Sequence, residues 1–491
     1  PNPNPNPNPN PNPNPNPTVK RQSGFLAPAM LSSNSGASSF LLPYYKVFSD
    51  SKDLTFSPRL YSNQDLLSQI EYRQKGKNFD NIMDFSFKKM DDSSKAHLFS
   101  NSEIYLNLDR FDNSRIEINF EKTNNNTYLK TDKIKANQDF SVSSLNSYLE
   151  FNANSEDLDV SVDFQVYEDL SIGNESDKYE FIYPSFSIFK RLDTVFNEFG
   201  NLNYQVNGSQ KKKKTNISET LLINDLNFLS KPLFTKLGFR NNLNLLFKNT
   251  NRESKNSPSY RDKLNSKFYS ALILNSSLPL TKSTTNYESE LKPKLSLRLS
   301  PTRSQNLIDN DSRIDIVNVF SNNRLGLDDS LEGGLSLTLG SEYNLDKKDG
   351  SEFLNISLAQ IYRDINDKKL PINSKMNTKA SDVVGGVTLI PNSYIDFDYN
   401  FSLDNNLKTT NYHMVKSTIS INNFITSFEF LEENNEIGAN SYLSQETSYA
   451  FRKNNKLLFR ERKNKRTGLT EFYNLVYQYE NDCLVAAIKY N

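Results

Sequence analysis

The chain has 491 residues with 58 basic and 58 acidic side chains, so it carries no formal net charge at pH 7. Its mean hydropathy of −0.66, and apolar runs far shorter than the roughly 20 residues of a membrane-spanning helix, exclude a helical membrane protein. The 33 Phe and 25 Tyr exclude a disordered chain. The balanced charge gives no reason to expect a nucleic-acid partner.

The first 17 residues are a strict alternation of Pro and Asn. Such a segment cannot form a hydrogen-bond ladder, so we expect a disordered low-complexity tether or tag over residues 1–17. Residues 18–37 are predicted to be a linker. Because neither an initiator Met nor a signal peptide is present, we expect the chain to be a fragment whose true start is missing. Outer-membrane barrels usually end on an aromatic residue, so we also expect a few residues to be missing after Asn491.

Residues 41–61 predict two strands joined by a polar turn, with Pro43 in the first strand and Pro58 in the second. Proline has no N–H, so each proline removes a ladder hydrogen bond and is tolerated where pairing is weak. If this is the first hairpin of a closed barrel, the barrel has a weakened seam. The alternative is that both prolines merely end strands at the rim.

From residue 38 onward, apolar and polar residues alternate with the period of two that is typical of strands. The clearest runs are residues 160–166, 294–299, 395–403 and 473–479. Divided among about 26 strands, residues 38–491 leave roughly 17 residues for each strand and its connection. We therefore predict an all-β fold, a large transmembrane antiparallel β-barrel. From the residues alone, a soluble all-β sandwich or surface protein stays open, because it shows the same alternation.

Catalytic chemistry finds little support in the residue types. The two histidines, His97 and His413, have no metal-ligand spacing, so we predict no enzyme, no cofactor and no metal. Gly333 and Gly334 precede a strand pattern, which favours a bulge or a close backbone approach over a phosphate loop. Cys483, the single cysteine, is either a small buried residue of the last strand or bonded to a partner elsewhere.

Four separated blocks resemble the family of the LPS-assembly protein LptD. They are residues 17–28 (PTVKRQSGFLAP), 43–61 with both prolines, 323–334 (NRLGLDDSLEGG) and 481–484 (NDCL). In chain order they are similar to the family's linker to the barrel, its gate prolines, its mid-barrel signature and its last-strand cysteine motif. The resemblance runs from about Pro17 to the end of the chain.

The resemblance implies an outer-membrane translocon that inserts lipopolysaccharide into the outer leaflet. The implied route is a lateral gate between the first strand, about residues 40–48, and the last, about 482–491. The implied gate residues are Pro43, Tyr44, Tyr45 and Pro58. The resemblance also implies a possible disulfide from Cys483 to the family's N-terminal periplasmic β-domain, which is missing here.

The partners implied by the resemblance are lipopolysaccharide, a plug lipoprotein of the LptE type, a periplasmic bridge protein of the LptA type and outer-membrane lipids. Two other functions stay open. A passive porin or nutrient-transport barrel would use the lumen as its route and keep the seam shut. A soluble or surface-attached β-rich binding protein would need no membrane.

Overall fold

The computed structural model describes residues 21–31, 37–90, 93–134, 143–171, 178–213, 216–257, 262–308, 312–434, 440–480 and 485–490. Their regular structure is almost entirely β-strand. Helical turns in these ranges are limited to α1 (Tyr128–Thr131) and two 3-10 turns, Val195–Glu198 and Asn373–Lys375. Over the same residues, the structure contains no apolar helix of membrane-spanning length.

The strands of the described residues are predominantly long. In chain order they are β1 (Gly24–Phe25), β2 (Ala29–Leu31), β3 (Ser39–Leu41), β4 (Tyr44–Ser49), β5 (Lys52–Tyr61), β6 (Leu66–Lys75), β7 (Phe79–Lys89), β8 (Ser94–Tyr105), β9 (Asn113–Thr123), β10 (Ser144–Asn154), β11 (Leu158–Asp169), β12 (Tyr179–Leu192), β13 (Gly200–Lys213), β14 (Ser218–Ser230), β15 (Leu233–Phe234), β16 (Arg240–Lys255), β17 (Asn265–Ser277), β18 (Leu280–Ser283), β19 (Tyr287–Ser300), β20 (Gly334–Lys347), β21 (Glu352–Arg363), β22 (Val383–Asn392), β23 (Ile395–Leu403), β24 (Thr410–Ile421), β25 (Phe424–Glu433), β26 (Ser441–Arg452), β27 (Asn455–Asn464), β28 (Thr470–Glu480) and β29 (Val485–Tyr490). Of these 29, five have only two to four residues and 24 have six or more, so the number of long strands is near the predicted 26.

The chain divides into two compact units. Unit 1 comprises the described residues up to Leu192 with Asn203–Asn224 and Thr250–Lys267, and unit 2 comprises Asp193–Leu202, Asp225–Asn249 and Phe268–Asn491. In unit 1, β5 to β12 pair consecutively as antiparallel neighbours. In unit 2, β19 to β29 do the same. The predicted fold class, a large antiparallel β-barrel, is confirmed, and all four alternating runs lie in strands.

The strands have one apolar outer face and one polar inner face. In β7, Phe85 and Phe87 are 40% and 41% exposed, whereas the alternate residues Asp84, Ser86 and Lys88 are buried. Exposed apolar side chains that alternate with buried polar ones reverse the pattern of a soluble sheet and are typical of a membrane barrel, whose outer face meets lipid. The outer face is therefore the membrane face, and functional chemistry must lie on the inner face or at strand edges.

Two chain segments fold back onto the inner faces. In unit 1, the segment after β9 buries Tyr128, Leu129 and Ile134 against strand residues. In unit 2, the long connection from β19 to β20 buries Ile314, Val319 and other apolar residues against β21 and β22. We call these the unit 1 inner segment (residues 124–134) and the unit 2 inner segment (residues 312–333).

Candidate functional site

The first hairpin is interrupted where the prolines lie. The strand predicted over about residues 40–48 is two pieces, β3 and β4, because Leu42 and Pro43 separate them. Both pieces pair with β5, in a register that places Leu41 opposite Arg59 and Tyr44 opposite Phe56. Pro58 lies within β5 and has regular pairing with β6 on its other side.

Each proline leaves a specific bond unmade. The N–H of Leu42 donates to the carbonyl of Pro58 (3.2 Å), and the N–H of Leu26 donates to the carbonyl of Pro43 (2.9 Å). Antiparallel residues in such pairs normally exchange two bonds, but proline has no N–H to return. Pro58 therefore weakens the hairpin itself, and Pro43 weakens the opposite edge of the first strand.

The two tyrosines of the predicted gate point to opposite faces. Tyr45 is buried, at 3% exposure, on the inner face. Tyr44 lies on the outer face, where its ring meets that of Phe25 edge-on at 5.1 Å. The structure thus gathers Pro43, Tyr44, Tyr45 and Pro58 in the first hairpin. Cys483 lies outside the described residues, so its proposed disulfide stays a prediction.

Hydrogen bonds and an ion pair at Asp132 hold the unit 1 inner segment against β5 and β7. The Asp132 carboxylate accepts from Lys88 Nζ at 2.8 Å and from the Tyr61 hydroxyl at 2.9 Å, while the Arg59 guanidinium donates to the Asp132 carbonyl. Burial raises the pKa of Asp132, but the bonds from Lys88 and Tyr61 and the positive charge of Lys88 outweigh burial and lower it overall. The ionised carboxylate therefore fixes this segment to β5 and β7.

A buried hydrogen-bond chain supports the same segment. Asp84 Oδ1 lies 2.8 Å from His97 Nε2, and His97 Nδ1 lies 2.6 Å from the Ser86 hydroxyl. Although these residue types occur in hydrolases, Ser86 is fully buried and also bonds to the Tyr128 hydroxyl at 2.6 Å. A substrate has no access to Ser86 in this arrangement. These hydrogen bonds instead hold Tyr128 of the inner segment in place.

The unit 2 inner segment is clamped by a buried ion cluster. Arg324 Nε donates to Glu332 at 2.6 Å and its Nη atoms donate to Thr338 at 3.0 Å and Ser336 at 2.9 Å. Arg363 also pairs with Glu332, and these three charged side chains are each 3% exposed. Burial lowers the pKa of Arg324 to about 9. The single Glu332 carboxylate is therefore the shared counter-ion of two buried guanidiniums, and the cluster keeps a net positive charge.

Gly333 shows the close backbone approach expected from the sequence, and Gly334 has a left-handed backbone conformation. A Cβ at Gly333 would lie 2.3 Å from the carbonyl oxygen of Thr302 and 2.6 Å from the backbone N of Ser304, and Gly334 has a φ of +88°. Both positions favour glycine over other residues: no side chain fits at Gly333, and the backbone at Gly334 is left-handed.

We expect Gly333→Ala to lower the free energy of unfolding by about 1–3 kcal/mol, because the inserted methyl group must displace the backbone of residues 302–304. Circular dichroism during guanidinium unfolding in detergent measures the change. Gly24→Ala is the matched control, since a Cβ there meets nothing within 4 Å. Equal stability of the two variants would contradict the close approach.

A polar groove lies on the inner face of the last strands of unit 2. Its volume is about 300 Å³, and its walls carry both charge signs together with serines and an aromatic ring. The charged pair Arg460–Glu446 lies at 2.8 Å, and the Tyr442 hydroxyl donates to Glu429 at 2.8 Å. Phe472, 48% exposed, lies at the same site. Such a surface suits sugars, which combine hydroxyl groups with apolar ring faces.

Both histidines lie in strands. His97 lies in β8 and His413 in β24, where its ring pairs with Glu432 at 2.8 Å. Within the described residues, no group of three or more His, Cys, Asp or Glu side chains could hold a metal ion.

Sequence reasoning missed both ionic anchors. Arg324 and Glu332 lie inside the block at residues 323–334 that resembles the LptD family signature, which was the available signal. Asp132 and its partners carry no motif, because Lys88 and Tyr61 come from distant strands that only the fold brings together.

The fold and this inner-face chemistry define an outer-membrane β-barrel with inward-folded segments. The family model described as LPS transport system D matches residues 106–458, which is more than half of the chain. The chain therefore belongs to the LptD family. It lies in the outer membrane.

Individual proteins give weaker likenesses. The LPS-assembly protein LptD of Ralstonia nicotianae (strain ATCC BAA-1114 / GMI1000) is 28% identical over 114 residues, 22% of this chain and 13% of that protein. The chain thus matches only a small part of that relative's length. Among solved structures, the siderophore receptor PiuA from Acinetobacter baumannii has a TM-score of 0.36 at 9% identity, covering 96% of this chain and 82% of that one. The FrpB iron transporter from Neisseria meningitidis has a TM-score of 0.40 at 9% identity, with coverages of 90% and 76%.

Proposed function

We propose that the chain is the barrel of a lipopolysaccharide translocon, which moves lipid rather than catalysing a reaction. The sugar part passes along the polar inner face, and the acyl chains leave sideways between the first and last strands. Lipopolysaccharide itself, a plug lipoprotein of the LptE type and a bridge protein of the LptA type are the proposed partners. The proposed domain arrangement is a tether at 1–17, a linker at 18–37 and the barrel at 38–491.

The observation that carries this proposal is the pair of one-bond contacts at Pro43 and Pro58. Opening a strand edge in hydrocarbon exposes unpaired backbone groups, each costing several kcal/mol. At Pro43 the donor is already missing on the outward edge of the first strand, so less is lost when that edge opens, and the missing donor at Pro58 loosens the hairpin behind it. The mixed-charge groove near the C-terminal strands supports the passage of the sugar part along the inner face, because it offers polar contacts for sugars.

Photocrosslinking in cells tests the route. A photoreactive amino acid at Tyr45 should form adducts that react with an anti-lipopolysaccharide probe, while the same group at Phe397, on β23, should not. Restoring both N–H groups with Pro43→Ala and Pro58→Ala should lower the Tyr45 adducts several-fold, because each new bond contributes about 0.5–1.5 kcal/mol to the closed state.

The opposite results would refute the lateral route. If a properly inserted barrel gives no Tyr45 adducts, the chain is better described as a passive porin. If the double alanine variant forms adducts and delivers lipopolysaccharide at the wild-type rate, the prolines have no part in opening. Solute conductance with no lipid adduct at either position would favour the porin directly.

A further inference from the structure

The outward edge of the first strand is covered. β3 and β4 pair on one side with β5, and on the other side with β2 and β1 respectively. The covering residues, 21–31, are here called the edge segment. A strand has only two hydrogen-bonding edges, so no other strand can pair with β3 and β4 while the edge segment is bound.

The contacts of the edge segment run along the whole first strand. Ala29, Met30 and Leu31 lie opposite Leu41, Phe40 and Ser39, and Gly24 and Phe25 lie opposite Tyr45 and Tyr44. The Ser23 hydroxyl accepts from the Val47 N–H at 2.9 Å, and Arg21 pairs with the buried Asp53 at 2.8 Å. These contacts are distributed from Ser39 to Asp53, so the cover is a docked strand and not a single accidental contact.

The edge segment also continues the membrane face. Met30 lies opposite Phe40, which lies opposite Leu60, and directly opposite residues project from the same face of a sheet. Met30 and Phe25 are 85% and 71% exposed. Apolar side chains exposed on this face fit lipid surroundings, so the bound segment presents an apolar surface at the edge where the proposed exit lies.

The backbone attachment of the edge segment is short and has few hydrogen bonds. β1 and β2 have two and three residues, and between them Pro28 has no N–H to donate. At the middle of the contact, Leu26 and Pro43 share one bond where two would be usual. Short ladders of this kind open at low free-energy cost compared with the long hairpins of the barrel.

We propose that the edge segment is a latch: it occupies the free edge of the first strand in the resting barrel and must leave before lipid can exit there. This inference rests on the proposed lateral route. Pro43 then weakens the pairing between the latch and the first strand, because it has no N–H to donate to Leu26, whereas Pro58 weakens the hairpin.

A reversible disulfide tests the latch. Backbone groups alternate between the two edges of a strand, and the Leu42 N–H points to β5, so Phe40 also bonds toward β5. Its pair with Met30 is therefore non-hydrogen-bonded, with the short Cα separation of about 4.5 Å that a disulfide accepts. Met30→Cys with Phe40→Cys should form a bond that mass spectrometry can verify, and neither residue is one of the predicted gate residues. Oxidised cells should export pulse-labelled lipopolysaccharide at least tenfold more slowly, and a membrane-permeant reductant should restore export.

The matched control is Leu54→Cys with Tyr72→Cys, a directly opposite pair between β5 and β6 that never needs to part. Its oxidation should leave export unchanged. Equal export from the oxidised and reduced latch variants would overturn the latch and leave the lateral route standing. Lack of export in the reduced variant and in the parent protein alike would instead refute the proposed function.

Discussion

Glu332→Gln is expected to lower the free energy of unfolding by about 3–5 kcal/mol and to release the unit 2 inner segment, because it leaves buried guanidiniums without their counter-charge. Arg324 and Arg363 both pair with this single carboxylate, and all three side chains are almost inaccessible to water. Arg298, also buried, donates to the carbonyls of Ser321 and Asn322 and supplies a third positive charge. The glutamine keeps the volume of the side chain but not its charge.

Hydrogen exchange over residues 312–333 measures the release, and guanidinium unfolding followed by circular dichroism measures the stability. Glu288→Gln is the matched control, since Glu288 is 65% exposed and pairs with Lys348 at 2.9 Å on the surface. Exposed pairs of this kind contribute about 0–1 kcal/mol. If both variants behave alike, the Glu332 cluster does not anchor the segment.

The strands were predictable because alternate residues of a membrane-barrel strand face lipid and the interior, which gives the sequence a period of two. The runs at residues 160–166 and 395–403 alternate since one face meets lipid and the other does not, and they lie in β11 and β23. The close approach at Gly333 was also predictable, because two adjacent glycines before a strand pattern have few other uses. Both signals come from residues close together in the chain, so they can be recognised in a single sequence.

The anchors and the edge segment were not predictable in the same way. Nothing in the sequence distinguishes Asp132 from other loop carboxylates. Its partners Tyr61 and Lys88 come from β5 and β7, which lie next to it only in the folded protein. Residues 18–37 read as a linker because β1 and β2 are too short to show an alternating pattern. Their strand geometry comes from the exposed edge of β3 and β4, a tertiary partner that no local propensity encodes.

Asp132→Asn is expected to destabilise the unit 1 inner segment by about 3 kcal/mol, the lower end of the usual cost of removing one partner from a buried ion pair. Lys88, whose side chain is 8% exposed, would lose its carboxylate at 2.8 Å and keep only Asp65 at 3.4 Å. The backbone bond from Arg59 survives the change, because it goes to the Asp132 carbonyl. Hydrogen exchange over residues 124–134 should therefore accelerate while the flanking strands remain protected.

The pH dependence of that exchange gives a second readout. Since the pKa of Asp132 is lowered in the folded barrel, its stabilising effect is complete above the ordinary carboxyl pKa of about 3.9. It is lost as pH falls through the folded pKa. Protection from exchange at residues 124–134, relative to the intrinsic exchange rate at the same pH, should thus fall on acidification below about pH 4, whereas the Asn variant should lack this component. Asp109→Asn, at an exposed loop carboxylate, should retain the acid response; its loss there as well would assign the effect to general protonation and not to the Asp132 anchor.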